Sequence, residues 1–238
     1  ALPAARALRL AATDAGLKPT AMLGTETAAR LLGLRINHPQ GSEELERLPN
    51  EPAPRAEAAF SLARILALDP ARVTALVEKA EAFTLPELDE LQREVLGRAL
   101  RLVGFPYVWA GTSEKAQRLW SSTAPGGTVA GSGGFDCSGL VWRVYKLEPY
   151  ATAPLLTEVL KGRTTYQRSG EVKPALRIPV AALQPGDVIF FGSAGKSSKP
   201  AQVGHSGIYV GNGWFVHSSG AGVTLQPLEG WYARTFAW

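Results

Sequence analysis

The amino-acid composition of this chain changes near residue 105, and that change restricts the possible folds more than any other feature of the sequence. Before it, Ala, Leu, Arg and Glu predominate, and apolar residues recur at helical spacing, for example at Val73 and Leu76. After it, short runs rich in Val, Phe, Tyr and Trp are bounded by Gly and Pro, which is typical of strands. Helices followed by short antiparallel strands indicate the α+β class. We therefore expect a helical N-terminal domain over residues 1–84 and, over residues 85–238, a domain in which helices pack on an antiparallel sheet.

Three local signals refine this expectation. Thr84 and Glu87 form a capping-box pattern and predict a helix from Leu85 to Val103. The Gly- and Ser-rich stretch from Ser121 to Gly134 predicts a flexible loop directly before the only cysteine. The segments HSGIYV and WFVHSS flank Gly211-Asn212-Gly213 and predict a β-hairpin.

Cysteine count, hydropathy and charge set limits on the class of protein. The 238 residues include one cysteine, so the chain cannot form an internal disulfide. No apolar run approaches the roughly 18 residues that a membrane-spanning helix requires. Residues 1–100 carry 12 basic and 14 acidic side chains, whereas residues 101–238 carry 13 and 7. The basic excess would attract an anionic partner, although ordinary solubilising charge explains it equally well.

Cys137 is the strongest candidate for a reactive group. It lies in GFDCSGL, immediately before the helix-like run VWRVYK, so its thiol is predicted at the first turn of a helix. The free N–H groups and the positive dipole end found there favour the thiolate, which is the nucleophilic form. A lone cysteine is more often buried packing than a nucleophile. Two of the three histidines, His205 and His217, follow on the predicted hairpin, however, and this combination indicates a Cys-His-His catalytic site.

The hairpin loop decides whether the two histidines can meet. A three-residue loop pairs Gly207 with His217, and it places His205 and His217 on one face, about 7–8 Å apart at the backbone. A two-residue Asn-Gly loop would pair Ile208 with His217 and put the histidines on opposite faces. The triad interpretation therefore predicts an odd-numbered loop. The third histidine, His38 in INHPQG, is expected at the surface without a partner.

Four segments resemble, in order, the motifs of one known family. PYVWAGTS, GFDCSGLVWRVYK, LQPGDVIFFG and GHSGIYVGNGWFVHSS are similar to those of the NlpC/p-sixty bacterial cell-wall cysteine peptidases, a papain-like group, over about residues 97–238. The resemblance implies a papain-like α+β fold and hydrolysis of peptidoglycan stem peptides, commonly between γ-D-glutamate and a diamino acid. It also implies a secreted or wall-associated protein with no cofactor and no nucleic-acid partner. By position, Cys137 is the nucleophile, His205 the base and His217 the residue that orients it.

The same resemblance assigns roles to three further residues. Tyr107, in PYVWAGTS, would contribute its hydroxyl to the oxyanion site or to substrate. Asp136 and Ser138 match positions that can contact the stem peptide, while the Cys137 amide would stabilise the oxyanion. Asp136 could equally cap the helix that follows it.

Three regions depart from the family pattern or extend beyond it. Residues 114–134, EKAQRLWSSTAPGGTVAGSGG, form an insertion near the expected site that could shape or cover it. Between the cysteine helix and the sheet, RTTYQ resembles a family segment of unassigned specificity. In the N-terminal half, LPNEPAPRAEAAFSLARIL resembles the end of an S-layer-homology wall-anchoring module, which implies docking on an anionic cell-wall polymer. The alternative for that half is a helical packing domain that positions or shields the active site.

These features leave several functions open. The leading hypothesis is a cysteine endopeptidase that acts on peptidoglycan stem peptides. A second is a wall-binding protein whose insertion blocks the site, although the intact trio of Cys137, His205 and His217 argues against it. An amidase or acyltransferase would use the same thioester intermediate. A zinc site is a further alternative, but neither a CxxC nor an HxxxH spacing supports it.

Overall fold

The computed structural model describes residues 2–35 and 47–238, so His38 and the INHPQG stretch lie outside the described residues. Within those ranges the chain forms eight helices and eight strands. The helices are α1 (Leu2–Asp14), α2 (Leu23–Leu31), α3 (Arg55–Leu66), α4 (Pro70–Glu81), α5 (Glu90–Leu100), α6 (Cys137–Lys146), α7 (Thr165–Glu171) and α8 (Trp231–Thr235). The strands are β1 (Thr112–Ser113), β2 (Gln117–Trp120), β3 (Thr128–Gly131), β4 (Gly134–Phe135), β5 (Val188–Gly192), β6 (Val203–Gly211), β7 (Trp214–Ser219) and β8 (Gly222–Pro227). None of these helices is long and apolar enough to cross a membrane.

Helices α1 and α2 pack closely because small and apolar residues lie at their contact. Ala4, Leu8 and Ala12 form one buried stripe along α1 at helical spacing. Gly24 of α2 lies against the backbone of Ala5, where a Cβ would come within 1.8 Å of the carbonyl oxygen. The helical prediction for the N-terminal half is therefore confirmed.

Helix α3 forms on the same kind of pattern but does not bury it. Leu62, Ile65 and Leu66 lie at helical spacing, yet 62%, 51% and 88% of their surface is exposed. The Ser61 hydroxyl connects this helix to the end of α2 by donating to the Leu34 carbonyl oxygen at 2.7 Å. Helical spacing thus predicts the element but not which of its faces packs.

The predicted start of α5 is wrong. The helix begins at Glu90, where the Asp89 carboxylate accepts a hydrogen bond from the Gln92 amide at 2.7 Å. The Gln92 side chain in turn accepts from the Asp89 amide at 3.0 Å, which completes a capping box five residues later than expected. The Thr84 hydroxyl is used elsewhere, because it accepts a hydrogen bond from the Asn212 side chain at 2.8 Å.

A four-stranded antiparallel sheet with the strand order β5-β6-β7-β8 forms the centre of the C-terminal half. Helix α6 packs against β6 and β7. One hydrophobic cluster continues from the N-terminal helices through α5 and α6 into this sheet. Its buried members include Leu8, Leu23, Leu96, Leu140, Ile208 and Leu225. The α+β class, with helices packed on an antiparallel sheet, is confirmed.

Arg30 joins the N-terminal half to the sheet. Its buried side chain pairs with Glu26 at 3.2 Å and donates to the carbonyl oxygens of Ala221 and Gly104. Gly222 makes room for this contact, since a Cβ there would lie 2.1 Å from Nη1 of Arg30. The halves thus share both core and polar contacts, and the boundary at residue 84 stays a prediction.

The β6–β7 hairpin reaches the predicted register by a different route. Its loop is Asn212-Gly213, with φ values of 47° and 76°, the conformation that two-residue hairpin loops favour. The register shifts between Tyr209 and Gly211, so a bulge adds one residue to β6. The prediction of an odd-numbered loop is therefore wrong. The predicted pairing of Gly207 with His217 is nevertheless observed, because the bulge compensates for the shorter loop.

The insertion forms a second hairpin, so the prediction of a loop from Ser121 to Gly134 is wrong for Thr128–Gly131 and for Gly134, which lie in strands. Strand β2 pairs with β3, and β1 pairs with β4. The Gln117 side chain fastens the base of this hairpin. It accepts from the Thr112 amide at 2.7 Å and donates to the carbonyl oxygens of Ser132 and Gly134 at 2.9 and 3.0 Å. Amino-acid composition could not predict the ordered base of this hairpin, because the three hydrogen bonds that fasten it all come from the single side chain of Gln117.

Candidate active site

Cys137 is the first residue of α6, where the sequence predicts it. Oδ1 of Asp136 accepts hydrogen bonds from the Gly139 amide and from the Ser138 hydroxyl, the latter at 2.8 Å. Asp136 therefore caps the helix, which is one of the two roles expected of it. Gly139 permits a close approach, since a Cβ there would lie 1.8 Å from the Gly111 carbonyl oxygen. These contacts fix the first turn and hence the direction of the thiol.

The two histidines lie side by side on β6 and β7. Nε2 of His205 is 2.9 Å from Nδ1 of His217, and the ring planes are perpendicular. Because Nε2 is engaged in this bond, Nδ1 is the nitrogen of His205 that is left for a thiol proton. Sγ of Cys137 lies 4.0 Å from the carbonyl oxygen of Gly204, the residue before His205. The structure thus pairs the two histidines and places the thiol next to the residue that precedes His205, and the roles of the three residues stay a prediction.

Aromatic rings surround both histidines. The ring of Phe191 lies 5.5 Å from that of His205, Phe215 stacks on His217 at 4.7 Å, and Tyr232 contacts both imidazoles. Burial lowers the pKa of His205 to about 4 and lowers the pKa of His217 well below its usual value, since an imidazolium would lose its hydration there. Both rings are therefore neutral near pH 7. Nε2 of His217 is buried and has no hydrogen-bond partner among the residues that the structure describes.

The expected thiolate is not the favoured form of Cys137. Burial raises the pKa of its thiol, and the Asp136 carboxylate raises this pKa further. The Thr165 hydroxyl and the backbone groups of Ser206 and Ser138 act in the opposite direction, but more weakly. Desolvation and the neighbouring carboxylate therefore outweigh the helix terminus. The resting pair is a neutral thiol beside a neutral imidazole.

Two arginines that the sequence analysis did not single out lie against Ser138, the residue after Cys137. Arg168 is 1% exposed and donates to the carbonyl oxygens of Gly162, Ser138 and Arg163 at 2.7, 2.8 and 3.1 Å. Burial and the charge of Arg163 lower the pKa of Arg168 to about 10, so its guanidinium stays protonated at neutral pH. This buried cation holds the segment before α7 against the cysteine helix.

The second of these residues, Arg163, is only partly buried. Its Nη1 donates to the Ser138 hydroxyl at 2.6 Å, while Nη2 donates to the Ala110 carbonyl oxygen at 3.1 Å and pairs with Asp136 at 3.3 Å. Thr165, two residues later, has its Oγ1 3.5 Å from the sulfur. The motif RTTYQ was the available signal, but a motif alone does not indicate which of its side chains reaches the cysteine.

Tyr107 and the insertion complete the surroundings of the thiol. Tyr107 forms a backbone bridge with Phe135, two residues before Cys137, and its role toward substrate stays a prediction. Glu114, at the start of the insertion, pairs with Arg143 of α6 at 2.7 Å. Cys137, taken as a whole residue, is partly exposed beside this insertion.

The zinc alternative finds no support in the geometry. Across residues 2–35 and 47–238, no group of three or more His, Cys, Asp or Glu side chains is arranged to hold a metal ion. His205 instead uses one ring nitrogen to contact His217, so the imidazoles bond to each other.

Comparisons with known proteins extend the resemblance of the four motifs. The NlpC/P60 family matches residues 104–238. The murein DD-endopeptidase MepH of Escherichia coli (strain K12) is 27% identical over 140 residues, which are 59% of this chain and 41% of that protein. The gamma-D-glutamyl-L-lysine dipeptidyl-peptidase of Bacillus subtilis (strain 168) is 23% identical over 152 residues, 64% of this chain and 40% of that protein. A crystal structure of an NlpC/P60 family protein from Bacillus cereus ATCC 10987 covers 65% of this chain and 40% of its own, with 24% identity and a TM-score of 0.43.

The matched region is a minor part of each curated relative but more than half of this chain. The chain spans about two fifths of the length of the two curated relatives. The family match covers more than half of the chain and contains Cys137, His205 and His217. On that match, the chain belongs to the NlpC/P60 family.

Proposed function

We propose that this chain is a cysteine endopeptidase that hydrolyses peptidoglycan stem peptides between γ-D-glutamate and the diamino acid, in cell-wall remodelling or recycling. The observation that carries the proposal is the 2.9 Å contact between His205 and His217, together with the position of the Cys137 sulfur 4.0 Å from the carbonyl oxygen of Gly204, the residue before His205. The names of the two curated relatives, a murein DD-endopeptidase and a gamma-D-glutamyl-L-lysine dipeptidyl-peptidase, support peptidoglycan as the substrate class. Only the second name supports the proposed bond, because a DD-endopeptidase is named for a different one.

The first half of the reaction transfers the acyl group to sulfur. Nδ1 of His205 removes the thiol proton of Cys137 while the sulfur attacks the γ-carbonyl carbon of the substrate. The new C–S bond places negative charge on the carbonyl oxygen, and the Cys137 amide stabilises it. His205 then gives its proton to the leaving amine, the C–N bond breaks, and a thioester remains.

The second half returns the acyl group to water. Neutral His205 removes a proton from a water molecule, whose oxygen attacks the thioester carbonyl. The C–S bond breaks and the sulfur regains a proton from His205. Throughout the cycle, Nδ1 of His217 accepts the hydrogen bond from Nε2 of His205, which fixes the tautomer and stabilises the transient imidazolium.

The presence of Cys137, His205 and His217 together favours hydrolysis over a blocked, wall-binding function. A protein that only binds the wall would not need a cysteine near a hydrogen-bonded imidazole pair. An amidase or acyltransferase would form the same thioester and would differ in the bond broken or in the acceptor. Analysis of the reaction products therefore separates these functions.

For the N-terminal half, we propose docking on an anionic cell-wall polymer. A groove of about 460 Å³ between α1 and α2 is lined by Arg6 and Arg9 together with apolar side chains. Guanidinium groups suit the phosphate or carboxylate groups of such a polymer. Replacing both arginines by Gln should weaken cosedimentation with purified cell walls, whereas Arg72→Gln, an exposed position on α4, should not. Equal cosedimentation of the wild type, the double variant and Arg72→Gln would contradict the proposed binding of an anionic polymer.

The test of the proposed activity is mass spectrometry of defined muropeptides. Tri- and tetrapeptide stems that contain meso-diaminopimelate or lysine are incubated with the wild-type protein and with Cys137→Ala. We expect the wild type alone to release L-Ala-γ-D-Glu and the diamino-acid part. Failure of the wild type to cleave any stem would contradict the proposed activity, and cleavage by Cys137→Ala would contradict the assigned nucleophile.

A further inference from the structure

The tautomer of His217 decides whether His205 is able to act as the base. The two rings share one hydrogen bond, between Nε2 of His205 and Nδ1 of His217. If His205 donates, its Nδ1 keeps a lone pair for the thiol proton, and the proton of His217 lies on Nε2. If His217 donates instead, each ring carries its proton on Nδ1, and His205 has no free lone pair for the thiol proton. The shared hydrogen bond does not select between these two forms, because each form makes it.

The other ring nitrogen of His217 is where the two forms differ. This Nε2 is buried and has no hydrogen-bond partner in the part of the chain that the structure describes. In the first form an N–H group lies there, and in the second form a lone pair lies there. A neighbour that prefers one of these groups therefore sets the tautomer of both rings.

Three rings contact His217, and they contact different parts of it. His205 occupies the Nδ1 side through the hydrogen bond. Phe215 is stacked, 4.7 Å away with 30° between the planes, so it covers a face of the imidazole. Tyr232 lies 5.0 Å away at 73°, which is an edge-to-face arrangement. Because an imidazole N–H group points outward in the ring plane, Tyr232 is the ring that suits the Nε2–H group.

The face of an aromatic ring distinguishes an N–H group from a lone pair. The ring quadrupole makes the face negative and the edge positive. The face therefore attracts an N–H group and repels a nitrogen lone pair. At Nε2 of His217 such a face stabilises the protonated nitrogen, and this is the form in which Nδ1 of His205 is free.

Tyr232 also separates this nitrogen from solvent. Phe191 and Phe215, the other two aromatic rings around the imidazoles, are 1% and 0% exposed, whereas Tyr232 is partly exposed. A water molecule donates to a lone pair or accepts from an N–H group. Water at Nε2 of His217 would thus satisfy both forms and would remove the preference for either.

Helix α8 holds the Tyr232 ring in place through contacts that do not involve the histidines. On one side, the Leu228 amide donates to the carbonyl oxygen of Gly213, in the β6–β7 loop, at 2.7 Å. On the other side, Phe236 forms a backbone bridge with Phe191 of β5. Both ends of this short helix are attached to the sheet, so we expect a substitution of the ring to leave the helix in place.

We propose that the ring face of Tyr232 accepts the Nε2–H group of His217 and thereby keeps Nδ1 of His205 free to take the thiol proton. This role rests on the proposed function. It makes Tyr232 a positioning residue, because it acts through His217 and not on the substrate.

NMR spectroscopy of the imidazole nitrogens tests this role without turnover. The chain contains three histidines, so isotope labelling of histidine gives three sets of ring signals, and the variants His205→Ala and His217→Asn assign two of them. In the wild type at neutral pH, we expect the proton of both rings on Nε2, with the Nε2–H resonance of His217 shifted upfield by the ring current of Tyr232. A proton on Nδ1 of His217, or an Nε2–H resonance without this shift, would overturn the proposal.

Substitutions at Tyr232 separate the effect of the ring from that of its hydroxyl. Tyr232→Leu removes the ring, and we expect the His217 signals to move toward the Nδ1–H form and kcat on a stem peptide to fall about tenfold, with little change in KM. Tyr232→Phe keeps the ring face and loses only the hydroxyl, which hydrogen-bonds to Ser219, so it should retain the wild-type tautomer and kcat. Trp231→Leu is the matched control, since Trp231 is 53% exposed and its ring contacts Tyr232, and it should keep the wild-type tautomer.

The possible results lead to different conclusions. Wild-type signals and kcat in Tyr232→Leu would overturn the role of Tyr232. Equal losses in Tyr232→Phe and Tyr232→Leu would also overturn it, because the hydroxyl and not the ring face would then carry the effect. If Tyr232→Leu does not fold, the wild-type spectrum and Tyr232→Phe decide. If the wild type cleaves no stem peptide, the proposed function fails, and the nitrogen signals alone decide on Tyr232.

Discussion

Two groups of side chains near Cys137 are built in opposite ways. One group, which we call the polar flank, consists of charged and hydroxyl side chains that hydrogen-bond to each other or to backbone. Its members are Asp136, Ser138, Arg163 and Arg168. The other group, the aromatic flank, consists of two imidazoles and the aromatic rings that pack around them. Its members are Phe191, His205, Phe215, His217 and Tyr232.

This difference matches the roles that we propose for the two groups: the polar flank positions the backbone around Cys137, and the aromatic flank provides the proton acceptor. The polar flank keeps Arg168 protonated although burial lowers its pKa to about 10, and this cation fixes the backbone around the nucleophile. The aromatic flank instead lowers the pKa of His205 to about 4. A ring that is neutral near pH 7 keeps a ring nitrogen with a free lone pair. The directions of the two pKa shifts thus support the proposed general-base role of His205 over a preformed thiolate-imidazolium pair.

Removing the base should produce the largest effect. His205→Ala takes away the proton acceptor for Cys137 while leaving the apolar surroundings in place. We expect kcat/KM on a stem peptide to fall about 10³-fold or more, with a far-ultraviolet circular dichroism spectrum like that of the wild type. A variant that keeps more than a tenth of the activity would contradict the role of the aromatic flank.

Removing the buried cation should damage stability instead. Arg168→Met leaves the carbonyl oxygens of Gly162, Ser138 and Arg163 without their donor. We expect the free energy of unfolding, measured in urea, to fall by about 3 kcal/mol. Arg168→Lys keeps the charge but not the planar fork, so it should fall between the wild type and Arg168→Met. A loss below about 1 kcal/mol for Arg168→Met would contradict the positioning role of the polar flank.

Acid should destabilise the protein through the aromatic flank. His205 and His217 bind protons near pH 6.5 when unfolded but have lowered pKa values when folded. Their contribution is therefore complete above pH 6.5 and is lost as the pH falls toward 4, by about 2–3 kcal/mol for His205. Urea unfolding at several pH values measures this slope, which should be shallower in His217→Asn. Equal stability at pH 6.5 and pH 4.5 would show that the histidines are not buried as neutral rings.

Changing the orienting residue should have a moderate effect on rate. His217→Asn keeps a side-chain group that can hydrogen-bond to Nε2 of His205, so we expect kcat to fall about tenfold. His217→Ala removes that partner and should cost about 10²-fold. Wild-type kcat in His217→Ala would exclude the orienting role.

A backbone change next to the polar flank should have the smallest effect. Ala110 has φ 62°, a left-handed conformation that costs residues with a Cβ about 1–2 kcal/mol, and its carbonyl oxygen accepts from Arg163. Ala110→Gly relieves this strain but increases the freedom of the unfolded chain. We expect a net stabilisation of about 0.5 kcal/mol in urea unfolding, with hydrolysis retained. A clear destabilisation would show that the strain estimate at Ala110 is wrong.

The aromatic flank was easier to predict from the sequence than the polar flank. His205 and His217 are separated by a short hairpin, so their meeting depends on local register, which the sequence predicted correctly at Gly207 even though the bulge supplied it. Arg163 lies 27 residues from Asp136, and only the folded chain decides that these two side chains pair. The raised pKa of Cys137 could not be expected from the helix terminus for a similar reason: the dipole is a local property, whereas burial of Cys137 is a tertiary one.

Mass spectrometry of the acid-quenched reaction tests the central claim most directly, namely that Cys137 is the nucleophile and that its attack requires His205 as the base. The wild type, Cys137→Ala and His205→Ala are each mixed with L-Ala-γ-D-Glu-diamino acid, quenched during turnover and digested. We predict an L-Ala-γ-D-Glu adduct on the peptide that contains Cys137 in the wild type, and neither adduct nor product in the two variants. Hydrolysis by either variant at a rate close to that of the wild type, or an adduct on another side chain, would contradict the claim.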